Sequence, residues 1–217
     1  MRPELPDAIA GPGIVAIGRG LPRARALQIG EVLSAAGIRA FEIPLTSADA
    51  LEVIAAIATQ FPAKQLLVGA GTVLSITAAQ EALDAGAAFL VMPNVDPDLI
   101  RWAVDRGVPN LPGAMTPTEV LLAWRAGASA VKIFPASVVG PGFLTELRGP
   151  MADIVMVPTG GISAANAGGF VAAGAAAVGV GSWLCNAADP ATVRDRADEL
   201  CASVNAARDR IAARAAT

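Results

Sequence analysis

Three features of the sequence predict one α/β domain, a compact (β/α)8 TIM barrel spanning residues 1–217. Short apolar, β-branched runs alternate with Ala/Leu-rich segments of helical spacing, and the unit recurs eight times. The runs are nearly continuously apolar, as parallel strands covered on both faces should be. Gly37, Gly86, Gly107, Gly127 and Gly174 each sit where a helix closes and a strand begins, which suits a left-handed cap. Strand–helix alternation implies parallel pairing through right-handed crossovers. Even spacing with no obvious switch point favours a closed ring over an open doubly wound sheet.

Residues 1–13 read as an N-terminal lead-in. A strand from Ile14 to Ile17 precedes a helix from Pro22 to Ala36. Ala40 to Leu45 leads into Ala48 to Thr59, and Gln65 to Val68 into about Ile76 to Ala85. Phe89 to Met92 precedes Pro97 to Arg106, and Pro109 to Leu111 precedes Pro117 to Arg125. Ala130 to Phe134 is followed by a shorter helix near Phe143 to Arg148. Ile154 to Val157 is followed by Ala164 to Ala172, and Ala177 to Val180 by a long helix from about Pro190 to Ala213.

Composition narrows the function. A chain that is 54% apolar and 16% charged is globular and long enough to bury a large core. Its net charge of −3 argues against a general affinity for nucleic acid or anionic membrane. No unbroken apolar run is long enough for a membrane span. The start, MRPELPDAIAGPG, lacks the basic and apolar regions of a signal peptide, so a cytoplasmic protein is expected. Cys185 and Cys201 are too few for a disulfide framework and read as packing residues. With no histidine, imidazole-based triads and histidine metal sites are excluded, and a zinc site is not expected. Acid–base chemistry then falls to carboxylates, lysine, a thiol or ordered water.

In a barrel of this kind chemistry gathers where strands end. Those ends carry Gly18-Arg19-Gly20, Glu42, Gly69-Ala70-Gly71-Thr72, Pro93-Asn94, Pro112-Gly113, Lys132 with Phe134-Pro135, Thr159-Gly160-Gly161, and Gly179 to Ser182. Lys132 stands inside the apolar run AVKIFPAS. It is one of only two lysines, Lys64 being the other, in a chain whose basic work is otherwise done by arginine. Burying an ammonium is costly, so a lysine here needs a partner or a task. Burial favours the neutral amine, the form that attacks a ketone carbonyl. Glu42 in AFEIPL is equally out of place. It is either a structural partner of Lys132 or a proton carrier beside it; the pairing is compatible with both.

Thr159-Gly160-Gly161 and Gly179-Val180-Gly181-Ser182 end strands seven and eight, where barrels often hold phosphate on backbone N–H groups. Tight turns are the plainer reading of either alone. The GAGT run lacks the spacing of a dinucleotide loop. Thr72 offers instead a hydroxyl and an N–H to a carboxylate. Arg19 suits a bidentate carboxylate contact or a rim ion pair. Phe134 supplies an apolar wall beside the amine. Trp102 and Trp124 read as packing residues on helices.

In this order the motifs FEIPLTS, VGAGTVL, MPN, LPGAMTPTE, VKIFPAS, VPTGGIS and VGVGSWL resemble the class I aldolases that cleave 2-keto-3-deoxy-6-phosphogluconate or its galactonate epimer. The resemblance covers nearly the whole chain. It implies a homotrimer of barrels and metal-free, pyruvate-releasing chemistry with no cofactor. It implies that Lys132 forms an imine with the substrate and that Glu42 moves protons. It implies that Thr72 and Arg19 hold the substrate carboxylate, that Phe134, Pro93 and Thr159 contact the substrate, and that Gly160, Gly161, Gly181 and Ser182 hold phosphate. Thr46 stands where phosphogluconate-type members usually have arginine. Glu42 to Ser47, Gly18-Arg19-Gly20 and Gly140-Pro141 look like the phosphogalactonate type, whereas Thr159 looks like the phosphogluconate type. The two signals point to different C4 epimers. The function expected is cleavage of such a phospho sugar acid to pyruvate and glyceraldehyde 3-phosphate. The alternatives are a phosphosugar isomerase or epimerase on the same barrel, or a non-catalytic phosphosugar-binding protein.

Overall fold

The structure, a computed structural model, describes residues 1–47 and 49–215. The chain opens with α1 (Asp7–Ala10), β1 (Ile14–Ile17), α2 (Arg23–Ala35), β2 (Ala40–Pro44), α3 (Ala50–Gln60) and β3 (Leu67–Gly71). It continues through α4 (Ile76–Asp84), β4 (Leu90–Val91), α5 (Pro97–Asp105), β5 (Asn110–Leu111), β6 (Gly113–Ala114) and α6 (Pro117–Ala126). It ends with β7 (Val131–Ile133), α7 (Ala136–Arg148), β8 (Met156–Pro158), α8 (Ala164–Ala172), β9 (Val178–Val180), α9 (Ser182–Cys185) and α10 (Pro190–Ala215). Ala48, the expected start of the third helix, lies outside the described residues.

The expected closed eight-stranded barrel is corrected. The strands form a curled parallel sheet of six, in the order β5-β4-β3-β2-β1-β9, and a separate parallel sheet of three, β6-β7-β8. Pro112 is one physical cause. It sits between β5 and β6; its carbonyl accepts from Lys132 N–H at 2.9 Å, and with no N–H it cannot donate back toward β7, so pairing with β7 starts only at Gly113. The expected strand from Pro109 to Leu111 is thus the end of one sheet, and Gly113–Ala114 starts the other. On the far side β8 and β9 are joined by an isolated bridge, Thr159 to Gly179, and by Ala176 N–H donating to Met156 C=O at 3.0 Å, without a continuous ladder among the described residues.

Local chemistry explains the helix boundaries. The five expected cap glycines all adopt positive φ, from +68° at Gly107 to +107° at Gly127. Ser75 Oγ accepts from Ala78 N–H at 3.1 Å, and Asp96 caps α5 ahead of Pro97. Thr116 and Glu119 form a reciprocal capping box on α6. α7 starts earlier than expected and is kinked at Gly140 (φ 69°, ψ 176°), before Pro141. Among the described residues no helix is long and apolar enough to cross a membrane.

Strand alternation divides the core in two. Ile14, Phe41, Ile43, Val131, Ile133 and Met156 join the large cluster beneath the helices. Their neighbours Val15, Ala40, Leu111, Ala130, Val157 and Ala177 form a small interior cluster shared by both sheets. Ile9 belongs to that interior cluster and is fully buried. The lead-in therefore contributes α1 to the core.

Ile9→Ala should lower the unfolding free energy by about 2–5 kcal/mol, the usual cost of such a core truncation. Urea titration measures it. A loss below about 1 kcal/mol would mean that α1 does not fill the interior.

Candidate active site

The same alternation aims the site residues. On β2, Ala40 is interior, so Glu42, two residues on, faces the same way. Just before β7, Ala130 is interior, and Lys132 follows two residues later on the strand. Val15 leads to Ile17, and Val157 leads to Thr159. The result is one cavity of about 400 Å³ above the small interior cluster. Its walls include Ile17, Arg19, Glu42, Lys132, Phe134 and Thr159. Gly160, Gly161, Gly181 and Ser182 close another side.

Lys132 is 7% exposed and Glu42 is 3% exposed. Both side chains therefore reach the cavity while nearly excluded from bulk water. Burial lowers the Lys132 ammonium below its ordinary value; Glu42 opposes this by its charge, and Arg19 reinforces it. Burial raises the Glu42 carboxyl above its ordinary range, offset in part by Lys132 and Arg19. Each environment favours the neutral form, and each charge favours its partner's ionised form. Lys132 Nζ also stands 4.7 Å from the Phe134 ring centroid. Lys64, by contrast, is exposed.

Two glycines of β3 make room for this arrangement. A Cβ on Gly71 would run into the Glu42 carboxylate, and a Cβ on Gly69 would run into the Phe89 ring. The glycine run after the expected third strand is thus part of that strand. Thr72 ends it with φ +54°, the sole positive φ outside glycine among the described residues.

Thr72 and Pro93 do not line the cavity. Pro93 lies close to β6, where a Cβ on Gly113 would meet its carbonyl. Four wall residues were not singled out from sequence: Ile17, Ile162, Ser163 and Trp183. Ile17 could have been found by counting in twos from Val15. Trp183 directly follows the GxGS run, inside the VGVGSWL motif. A larger cavity of about 590 Å³ lies over α7, α8 and α10, but its walls carry neither amine nor carboxylate.

A family model described as "Aldolase: KDPG and KHG aldolase" matches residues 12–195. The chain belongs to the KDPG and KHG aldolase family. As an aldolase it is a lyase. It is 40% identical over 172 residues to a probable 2-dehydro-3-deoxy-6-phosphogalactonate aldolase of Rhizobium meliloti (strain 1021), covering 79% of this chain and 81% of that one. It is 38% identical over 173 residues to a 2-dehydro-3-deoxy-phosphogluconate aldolase of Pseudomonas aeruginosa, covering 79% of this chain and 76% of that one. A solved structure described as native KDPGal superposes with a TM-score of 0.86 at 33% identity, over 90% of this chain and 96% of that chain.

A lysine whose folded pKa lies below its ordinary 10.5 costs stability at neutral pH, because burial penalises its charged form in the folded chain but not in the unfolded one. Lys132→Met should therefore raise the unfolding free energy at pH 7 by about 0.5–2 kcal/mol. The gain should shrink as pH rises toward 10.5, where the unfolded lysine also loses its proton. Urea unfolding over that range measures it; a less stable variant at pH 7 would contradict burial as the dominant influence on Lys132.

Proposed function

We propose that the protein is a class I aldolase that cleaves a 2-keto-3-deoxy-6-phospho sugar acid to pyruvate and glyceraldehyde 3-phosphate through a Schiff base on Lys132. The observation that carries this is a desolvated amine facing the same cavity as a buried carboxyl, in a chain of this aldolase family. Neutral Lys132 attacks C2 of the keto acid, and loss of water leaves an iminium. Glu42 takes the proton of the C4 hydroxyl, directly or through water. The C3–C4 bond breaks, its electron pair enters the iminium to form an enamine, and glyceraldehyde 3-phosphate departs. Glu42 returns a proton to C3. Water then hydrolyses the iminium, releasing pyruvate and the free amine.

Arg19 at the cavity rim receives the substrate carboxylate in this scheme. Phe134 and Thr159 contact the carbon chain. Gly160, Gly161, Gly181 and Ser182 receive the phosphate, where absent side chains allow close approach to backbone N–H groups. We also propose a single domain over the chain, a homotrimer on the strength of the family resemblance, and a cytoplasmic place of work.

Borohydride reduction in the presence of pyruvate should leave a pyruvyl adduct on Lys132, located by peptide mass spectrometry and lost in Lys132→Met. An adduct on Lys64, or none, would refute the assignment. Glu42→Gln should still form that adduct while losing about 100-fold or more in turnover, the usual weight of one acid–base group. Turnover within about twofold of wild type would remove Glu42 from the proton path.

A further inference from the structure

The loop from Thr159 to Ser163 closes one side of the cavity, and its three successive carbonyls are all accounted for. Thr159 C=O accepts from Ala136 N–H at 2.8 Å, and Gly160 C=O accepts from Ser137 N–H at 3.0 Å. Gly161 C=O accepts from the side-chain amide of Asn166, Nδ2 donating at 2.9 Å. In a trans peptide the N–H points opposite to the carbonyl before it. Anchoring these carbonyls on α7 and α8 therefore turns the N–H groups of Gly160, Gly161 and Ile162 the other way, as in an anion-binding nest. Gly160 and Gly161 permit this with φ +96° and +73°.

Two of the three anchors are backbone groups at the start of α7. The third is a side chain, and both ends of its amide are engaged. While Nδ2 holds Gly161, Asn166 Oδ1 accepts from Ser163 N–H at 2.9 Å. Ser163 N–H is thereby withdrawn from ligand binding. We propose that Asn166 is a positioning residue of the phosphate end of the site: it orients the Gly161–Ile162 peptide so that the loop donates to the substrate's phosphate and lends the enzyme its preference for phosphorylated substrate. This rests on the aldolase reading above and adds a residue that touches neither the reacting carbons nor the phosphate.

Asn166→Ala removes both bonds. Asn166→Asp keeps the acceptor for Ser163 N–H at the third helical position, where a carboxylate suits a helix start, and loses only the donor to Gly161. Thermal melting reports folding of each variant. Kinetics are measured on the 6-phospho keto-deoxy acid and on its counterpart without phosphate, and inorganic phosphate binding is followed by calorimetry. In both variants KM for the phosphorylated acid should rise about tenfold, as for loss of one hydrogen bond to an ionic group. Phosphate binding should weaken in parallel, while kcat and the kcat/KM of the unphosphorylated acid stay within about twofold. A loss shared by the uncharged alanine variant cannot be repulsion by a new carboxylate. A folded variant with the wild-type preference and phosphate affinity overturns the proposal, as does a fall in kcat with KM unmoved. Failure of the aldolase reading would look different: wild type would turn over neither acid and would form no pyruvyl adduct, while the calorimetry would still decide the role of Asn166.

Discussion

Two ionisable groups share one small, nearly dry interior, and much of the molecule is arranged to tolerate that. Neither Lys132 nor Glu42 can discard its polar end into bulk water, since both are under 10% exposed. A buried ammonium and a buried carboxylate each cost several kcal/mol in isolation. Burial pushes both toward neutrality, while each charge favours ionisation of the other. The two groups thus hold each other's charge in check inside one cavity.

The surrounding sequence serves that pair by omission as much as by contact. Gly71 leaves the space that the Glu42 carboxylate fills, and Gly69 leaves room for the Phe89 ring. Phe134 sets an aromatic face beside Lys132. Just past the neighbouring strand β8, Gly179 leaves room for Thr159, whose Oγ1 donates at 3.4 Å to Val157 C=O. Substitutions at these glycines would act on the site through volume, although none of them carries a reactive atom.

Lys132 and Glu42 were legible because a charge inside an apolar run violates local pattern, and such violations concentrate at functional sites. Helix limits were legible from proline, serine, aspartate and the five cap glycines, since those residues act on the backbone within a few positions. The division of the strands into two sheets was not, and the closed ring expected from the sequence was wrong. Continuity of a sheet depends on hydrogen bonds between distant segments, and the interruption at Pro112 is visible only when its carbonyl and its missing N–H are placed against their neighbours. Trp183, Ser163 and Ile162 escaped for a related reason: they are ordinary residues that become cavity walls through the path of the chain around them. The role of Asn166 in holding Gly161 was equally hidden, because a single asparagine early in a helix looks like any other.

By itself the sequence determined the alternation of strands and helices, the turns between them, and the identity of the amine and the carboxyl. These follow from local rules of periodicity, backbone freedom and the cost of burying charge. Only the tertiary structure decided that the strands divide into sheets of six and three, that Ile9 enters the interior, and that Lys132 and Glu42 open onto one cavity without Thr72 or Pro93 in its wall. Those outcomes depend on which distant backbones pair and how closely they approach, and that is settled by packing in three dimensions.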